Sequence, residues 1–355
     1  MISFALTEEQ RLAQTAAAQF AKDIAQPAAR AAEESGSFPE SVLAAAWGLG
    51  LVQAAASGEP IDQPAILNAL ALEEIAYGDA ALAVALAAPL GFVKSIAAHG
   101  TEVQRERHLA PFLSDTPAFA AVAAVDAGWF GGAGHKTRAE RAGNGWRIDG
   151  AKGLVPLASR CERLLVTAET NEGTRCFVIE SSAPGVRIES AKGTLGLRAL
   201  QMADVVLEGV AVSGEDLVPG SARRLLDASR VAFCAILSGV ARAVYDYALP
   251  YAKERVVHGE AIGRKQAIAF KLADMHIAAN AMRWMSLRAA AELDASADAP
   301  RTARLAQRYA AEQGVKIADE GVQIFGGYGF VRDYPLEMWY RNARSLSTLD
   351  GLVGA

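Results

Sequence analysis

Cysteine is scarce in this 355-residue chain, and the three present, Cys161, Cys176 and Cys234, form an odd, widely spaced set. Their spacing excludes a disulfide framework and a zinc site built on cysteine pairs, and it fits reduced thiols in a cytoplasmic protein. A basic excess is missing too. Lys and Arg total 35 against 40 Asp and Glu, a net charge of −5, so neither a nucleic-acid footprint nor an anionic membrane surface is expected. The most apolar run, Ala80 to Val93, is too short to span a bilayer and contains Pro89 and Gly91, which predicts a buried helix. Met1 to Gln10 lacks a basic-then-apolar export pattern. The histidines, His99, His108, His135, His258 and His276, show no ligand spacing, so no metal is expected.

What the chain does have is ordered by type. Thr7 followed by Gln10 is a capping-box start, after which Leu12, Ala16, Phe20 and Ile24 recur at helical spacing until Pro27. Ala/Leu-rich segments follow around Ser41 to Leu51, Gln63 to Tyr77, Ala80 to Ala98 and Glu102 to Leu113. From about Ala118 the character changes. Short β-favouring runs, Trp146 to Ile148, Leu164 to Thr167, Phe177 to Ile179 and Val205 to Leu207, are separated by turn residues. After Pro219-Gly220 helical periodicity returns, with Leu272, Met275, Ala279 and Met282 on one face and a long helix from Arg304 to Ile324. Pro250 is expected to kink or end the helix that runs through Tyr245. Helices, then strands, then helices predict an α+β chain of three segregated units: an all-α domain (1–117), a β domain (118–218) and an α-helical domain (219–355).

The densest information lies between Gln323 and Gly351. Gly326, Gly327 and Gly329 fall within four positions and let the backbone turn sharply or approach a ligand closely. A helix-like segment with Pro335, Tyr340-Arg341 and Arg344 comes next, then Asp350-Gly351. This pattern resembles the acyl-CoA dehydrogenase family. Phe4 to Gln10, His99 to Gln104, Gly196-Leu197-Arg198 with Val205 to Val210, and Tyr251 to Arg255 with Gln266 and Phe270 to Met275 are similar to family motifs in the same order. The resemblance implies a helical domain, a middle β-barrel or sandwich and a C-terminal four-helix bundle. It also implies FAD and an acyl-CoA substrate oxidised to a trans-2-enoyl-CoA, with electrons leaving to an electron-transfer flavoprotein.

By the same resemblance, Arg255 and Gln266 on one subunit and Gln323, Gly326 and Gly327 on another hold the flavin pyrophosphate and adenosine. A homodimer or homotetramer follows, or a heterotetramer with a paralogous subunit. Asp350 stands where the family usually has the glutamate base, and Ser229 where some members place theirs. Asp227 and Arg230 resemble contacts to the CoA nucleotide. His258 sits where the family prefers Phe, which reads as a packing substitute ahead of a new hydrogen-bond donor. The middle domain departs furthest: Val125-Asp126-Ala127 replaces the Thr-Glu-Pro that contacts the flavin ring, and Leu154-Val155-Pro156 replaces a Trp-x-Thr. Divergent members that work as paired, unlike subunits in bacterial steroid or fatty-acid side-chain breakdown share this look.

Each of these residues also has a plain structural reading. Asp350 is a solvated acid or a helix-end turn at Gly351, Arg255 an ion-pair partner of Glu254, Arg230 with Asp227 an i,i+3 helix pair, and the glycines a turn between helices. Met275, Met282 and Met285 read as core filling, and Tyr334, Trp339 and Tyr340 as either an acyl pocket or packing. Two alternatives to the dehydrogenase stay open: a non-catalytic partner subunit, and a flavin oxidase of nitroalkane type with an aspartate base.

Overall fold

The expected capping box forms. Thr7 Oγ1 accepts from the Gln10 N–H at 3.2 Å and Gln10 Oε1 accepts from the Thr7 N–H at 3.1 Å, which starts α1 (Glu8–Phe20). The computed structural model describes residues 5–128, 136–191, 193–220, 222–295 and 299–349. Pro27 does not end the first helix. A π-helical segment, Ala21–Ala25, leads into α2 (Gln26–Ser35), and Pro27 falls in its first turn, where a missing N–H is tolerated. Burial on α1 follows Ala17 and Phe20, while Leu12 and Ala16 face outward.

The N-terminal helices continue with α3 (Glu40–Trp47), α4 (Leu51–Ser57), α5 (Pro64–Gly78), α6 (Ala80–His99) and α7 (Glu102–Leu109). Helix α6 is the buried helix expected, apolar on every side except its last turns, with Pro89 inside it. It starts at Asp79, whose carboxylate accepts from the Ala81 N–H at 2.8 Å and whose burial pushes its pKa up to about 7.

The next strands are β1 (Ala120–Ala123), β2 (Arg138–Ala142), β3 (Gly145–Val155), β4 (Arg163–Thr170), β5 (Gly173–Glu180), β6 (Val186–Ser190), β7 (Ala203–Val212) and β8 (Leu217–Val218). They form one sheet in the order β6-β7-β3-β2-β4-β5-β8, with β1 parallel to β4. One face buries Trp146 edge-on to Phe177 at 5.4 Å. The other presents Ala120, Val122, Leu165 and Val178 to Leu90, Phe92 and Phe112, so α6 lies against the sheet.

The chain then enters α8 (Ala222–Glu254), a two-stranded hairpin of β9 (Val256–Val257) and β10 (Glu260–Ala261), α9 (Gln266–Asp294), α10 (Pro300–Phe325) and α11 (Leu336–Leu346). Leu272, Met275, Ala279 and Met282 form the buried face of α9 as read from their spacing. Pro250 neither ends α8 nor stops it short. Ala248 and Ala252 are fully buried on either side of it, and Tyr247 and Tyr251 stack on Phe325, so tertiary burial outweighs the lost backbone bond. Two helices, α6 and α8, are long and apolar enough to cross a membrane, yet 83% and 78% of their apolar windows are buried inside this fold. Glu73 of α5 ties the two helical domains together, taking Arg242 of α8 at 3.3 Å and Arg283 of α9 at 3.2 Å.

Candidate active site

The end of the bundle brings together most of the residues expected to hold a cofactor. Where α8 ends, the Arg255 N–H donates to Tyr251 O and the Arg255 carbonyl accepts from Ile262, both at 2.8 Å, which folds the hairpin back. Its two-residue turn is His258-Gly259, both at positive φ, 56° and 80°, as tight hairpins require. His258 is therefore thrown out to the exposed tip. The packing role expected for it is not what this chain shows, because a turn of this kind points its side chains away from the core. Among the described residues Arg255 forms no ion pair with Glu254 or any other acid. Its guanidinium lies 5.7 Å from the ring centroid of Tyr328, in the middle of the glycine-rich turn of the same chain. The sequence reading divided Arg255 and the glycines between two subunits. The structure places them side by side on one.

Three glycines in that turn serve different ends. A Cβ on Gly329 would stand 2.4 Å from Val322 O, so close backbone approach demands glycine there. Gly326 closes α10 at φ 59° and faces open space. Gly327 has neither a left-handed φ nor an atom within 4 Å of where a Cβ would be, so nothing within this chain asks for glycine at that position. Gln323 is exposed on the last turn of α10 and Gln266 is exposed at the first position of α9. An uncommitted cation, two exposed amides and a backbone open to close approach suit a phosphate-bearing nucleotide. Beneath the turn Phe325 stacks on Tyr251 at 3.7 Å and meets Tyr334 edge-on at 5.5 Å, while Tyr247 meets Trp339 at 5.7 Å. Trp339 and Tyr334 thus brace α8, α10 and α11, which is the packing alternative for them.

The middle-domain residues are committed elsewhere. The Val125 carbonyl accepts from the Gly153 N–H at 2.9 Å, and the Ala127 N–H donates to Ala151 O at 2.8 Å. Between them Asp126 accepts from Lys152 Nζ and from Thr137 Oγ1, each at 2.7 Å. Lys152 is 2% exposed and also donates to Ala124 O and Thr167 Oγ1 at 3.2 Å. Burial pushes its ammonium pKa down, against the pull of Asp126. Pro156 is buried between Leu154 and Leu157, both left-handed at φ 56° and 51°. Neither Val125 nor Pro156 presents a side-chain donor for a flavin ring. The polar groups at the bundle's end fit the nucleotide part of the cofactor, and these two side chains add no donor for its ring. Lys152 was missed in the sequence because its partner is 26 residues away and nothing in the local pattern links the two.

On α8, Arg230 Nη1 meets Asp227 Oδ1 at 3.1 Å, with both side chains buried. Burial raises the Asp227 pKa although Arg230 opposes the rise. The i,i+3 pair is real, and it is internal rather than on a helix surface. Ser229 beside it is 1% exposed. Asp350 lies outside the described residues; Leu349 before it is buried in the helical core and its N–H donates to Leu346 O at 2.9 Å. The approach to that position is held by a staple that joins two motifs read separately. Leu197 N–H donates to Asn342 Oδ1 at 2.8 Å and Gly196 N–H to Ser345 Oγ at 3.0 Å. A Cβ on Gly196 would fall 2.6 Å from the Arg341 carbonyl, which explains the glycine of Gly196-Leu197-Arg198.

Helical, β and helical domains in that order, with an open cationic site at the end of the last bundle, define a three-domain α+β class. Family models described as acyl-CoA dehydrogenase N-terminal, middle and C-terminal domains match residues 7–116, 130–210 and 220–352. The chain belongs to the acyl-CoA dehydrogenase family of oxidoreductases. It is 31% identical to a probable acyl-CoA dehydrogenase YngJ of Bacillus subtilis, over 99% of this chain and 96% of that protein. It is 28% identical to the caffeyl-CoA reductase-Etf complex subunit CarC of Acetobacterium woodii, over 90% of this chain and 88% of that one. The fold is similar to that of butyryl-CoA dehydrogenase from Megasphaera elsdenii, with a TM-score of 0.87 and 26% identity over 97% and 95% of the two chains.

Proposed function

We propose that this protein is an FAD-dependent acyl-CoA dehydrogenase that converts an acyl-CoA to a trans-2-enoyl-CoA. The observation that carries the reading is the Arg255, Tyr328, Gly326 and Gly327 surface, whose free cation and unexplained Gly327 match a dinucleotide. Arg255 would meet the pyrophosphate, and Gln266 and Gln323 would bond the adenosine portion. Bound FAD supplies the hydride acceptor for the substrate's β-carbon. Asp350 would take the α-proton on a carboxylate oxygen, and that base works best with its pKa raised in a dry pocket. Leu349, the residue before Asp350, is buried in the helical core. Electrons would pass to an electron-transfer flavoprotein, and the relationship to the Etf-complex subunit supports this. Free, buried cysteines support a cytoplasmic setting.

A dimer or dimer of dimers belongs to the same proposal. Phe270 and Ile277 lie seven residues apart on α9 and are 61% and 65% exposed, and Val256 and Phe330 beside the cofactor surface are 59% and 67% exposed. Apolar exposure on this scale calls for a partner, and closed symmetric assembly is the default. A partner-subunit role is the second reading, favoured by the side chains of Val125 and Pro156, which offer no donor for the flavin ring. Purified protein separates the two: a yellow preparation that keeps its flavin through gel filtration supports the enzyme, and a colourless one the partner subunit.

A further inference from the structure

A cavity of about 290 Å³ opens between the start of α5, the second half of α6, the first turns of α8 and the end of α9. Lys94 and Arg224 both line it. Lys94 has no hydrogen bond or ion pair within the described residues, and Arg224 Nη2 donates to the Leu293 carbonyl at 3.0 Å. The one carboxylate in the wall, Asp294, is committed: it accepts from the Ala65 N–H at 2.8 Å and the Ile66 N–H at 3.0 Å and so caps α5. His99, also in the wall, is held neutral at pH 7 because burial and the Arg224 charge lower its pKa. Among the described residues the wall therefore carries two cations against one carboxylate, a net positive charge. Burial brings the Lys94 pKa down to about 8, with Arg224 adding to the shift and Asp294 opposing it.

We propose that this cavity binds a small carboxylate with a short hydrocarbon chain, its head between Lys94 and Arg224 and its chain on Leu225, Ala228 and Leu293. The reading is independent of the acyl-CoA proposal, because the ligand is a free acid and none of these residues belongs to the cofactor surface. Charge selects an anion, and the apolar wall selects a hydrocarbon over a naked phosphate. A larger cleft of about 810 Å³ shares Lys94, Pro64 and Ala98 with the cavity, but Glu8, Glu9 and Glu59 line it and repel a carboxylate there. The head group is thus confined to the smaller space.

Calorimetric titration of the purified full chain with sodium hexanoate and with hexanamide at pH 7 tests this. Hexanoate is expected to bind at one site and hexanamide about tenfold more weakly or worse, since a charge-assisted bond is at stake. Lys94→Met is expected to weaken hexanoate by about tenfold or more, and Lys94→Arg to retain it. Flavin content is unchanged in both. Equal binding of hexanoate and hexanamide by the parent, absence of hexanoate binding, or undiminished binding by a folded Lys94→Met protein would overturn the proposal. Should Lys94→Met fail to fold, the comparison of the two ligands on the parent decides.

Discussion

The two places where this family contacts its flavin are built in opposite ways in this chain. At the end of the C-terminal bundle the polar groups are left open: among the described residues Arg255 has no acid partner, Gln266 and Gln323 are exposed, and no atom lies within 4 Å of a Cβ placed on Gly327. In the middle domain the corresponding stretch is closed on itself, with Asp126 spent on Lys152 and Thr137, Val125 on Gly153, and Pro156 buried. Open polar groups are available to a ligand, whereas Asp126 has a structural task in holding the buried Lys152. On the proposed function, the nucleotide end of the cofactor would find polar side chains that the ring would not.

The comparison breaks most visibly through Asp126. Replacing it with alanine strands the Lys152 ammonium in the sheet, and the expected loss is about 3–5 kcal/mol of unfolding free energy, measured by chemical denaturation. Arg255→Ala is expected to change the same quantity by less than about 0.5 kcal/mol. Similar losses in the two variants would mean the regions do not differ in kind.

His108, in α7 beside the β domain, sharpens the contrast with an acid titration. Neither ring nitrogen has a hydrogen-bond partner, and burial together with Arg163 and Arg107 pushes its pKa down from 6.5 to about 4, against the pull of Glu180. Asp216 lies 3.9 Å away and is itself drawn toward neutrality by burial. Between pH 6.5 and pH 4 the unfolded chain binds a proton that the folded chain refuses, so stability falls as pH falls through that window. The expected loss is about 1–3 kcal/mol, and His108→Phe should remove that share of the acid sensitivity. A parent and variant that lose stability in parallel over this range would place the acid response elsewhere.

A smaller effect is expected on cofactor affinity. Arg255→Ala should weaken FAD binding by about 2 kcal/mol, roughly thirtyfold, in an equilibrium titration of the apoprotein. Val125→Ala should leave it nearly unchanged, because that side chain gives the cofactor no polar contact. The reverse order would make the middle domain the principal holder.

Much of the fold was legible because local rules and burial agree. The Thr7 capping box and the apolar face of α9 follow from spacing, the buried α6 from its apolar run, and the three-unit order from the change between helical and strand patterns. The misreadings share one cause. Pro27 reads as a helix end and Pro250 as a kink or an end, yet a π turn accommodates the first and α8 continues through the second with aromatic stacking on Phe325, and neither is visible in a local window. The site was legible as a set of residues and not as a geometry. Arg255 and Tyr328 are neighbours through the return of α10 onto α8, and the Lys152 to Asp126 pair depends on how β3 meets the segment after β1.

The central claim is that Asp350 removes the α-proton of an acyl-CoA at a flavin this chain binds. Anaerobic addition of an acyl-CoA panel to the flavin-loaded parent and to Asp350→Asn tests it, read as loss of the visible flavin absorption. The account predicts bleaching of the parent by at least one acyl-CoA. Asp350→Asn should keep its flavin and its colour, since an amide cannot accept the proton. Asp350→Glu is expected to bleach faster than the parent, because the longer side chain restores the family's reach. An Asp350→Asn protein bleached as fast as the parent would contradict the claim.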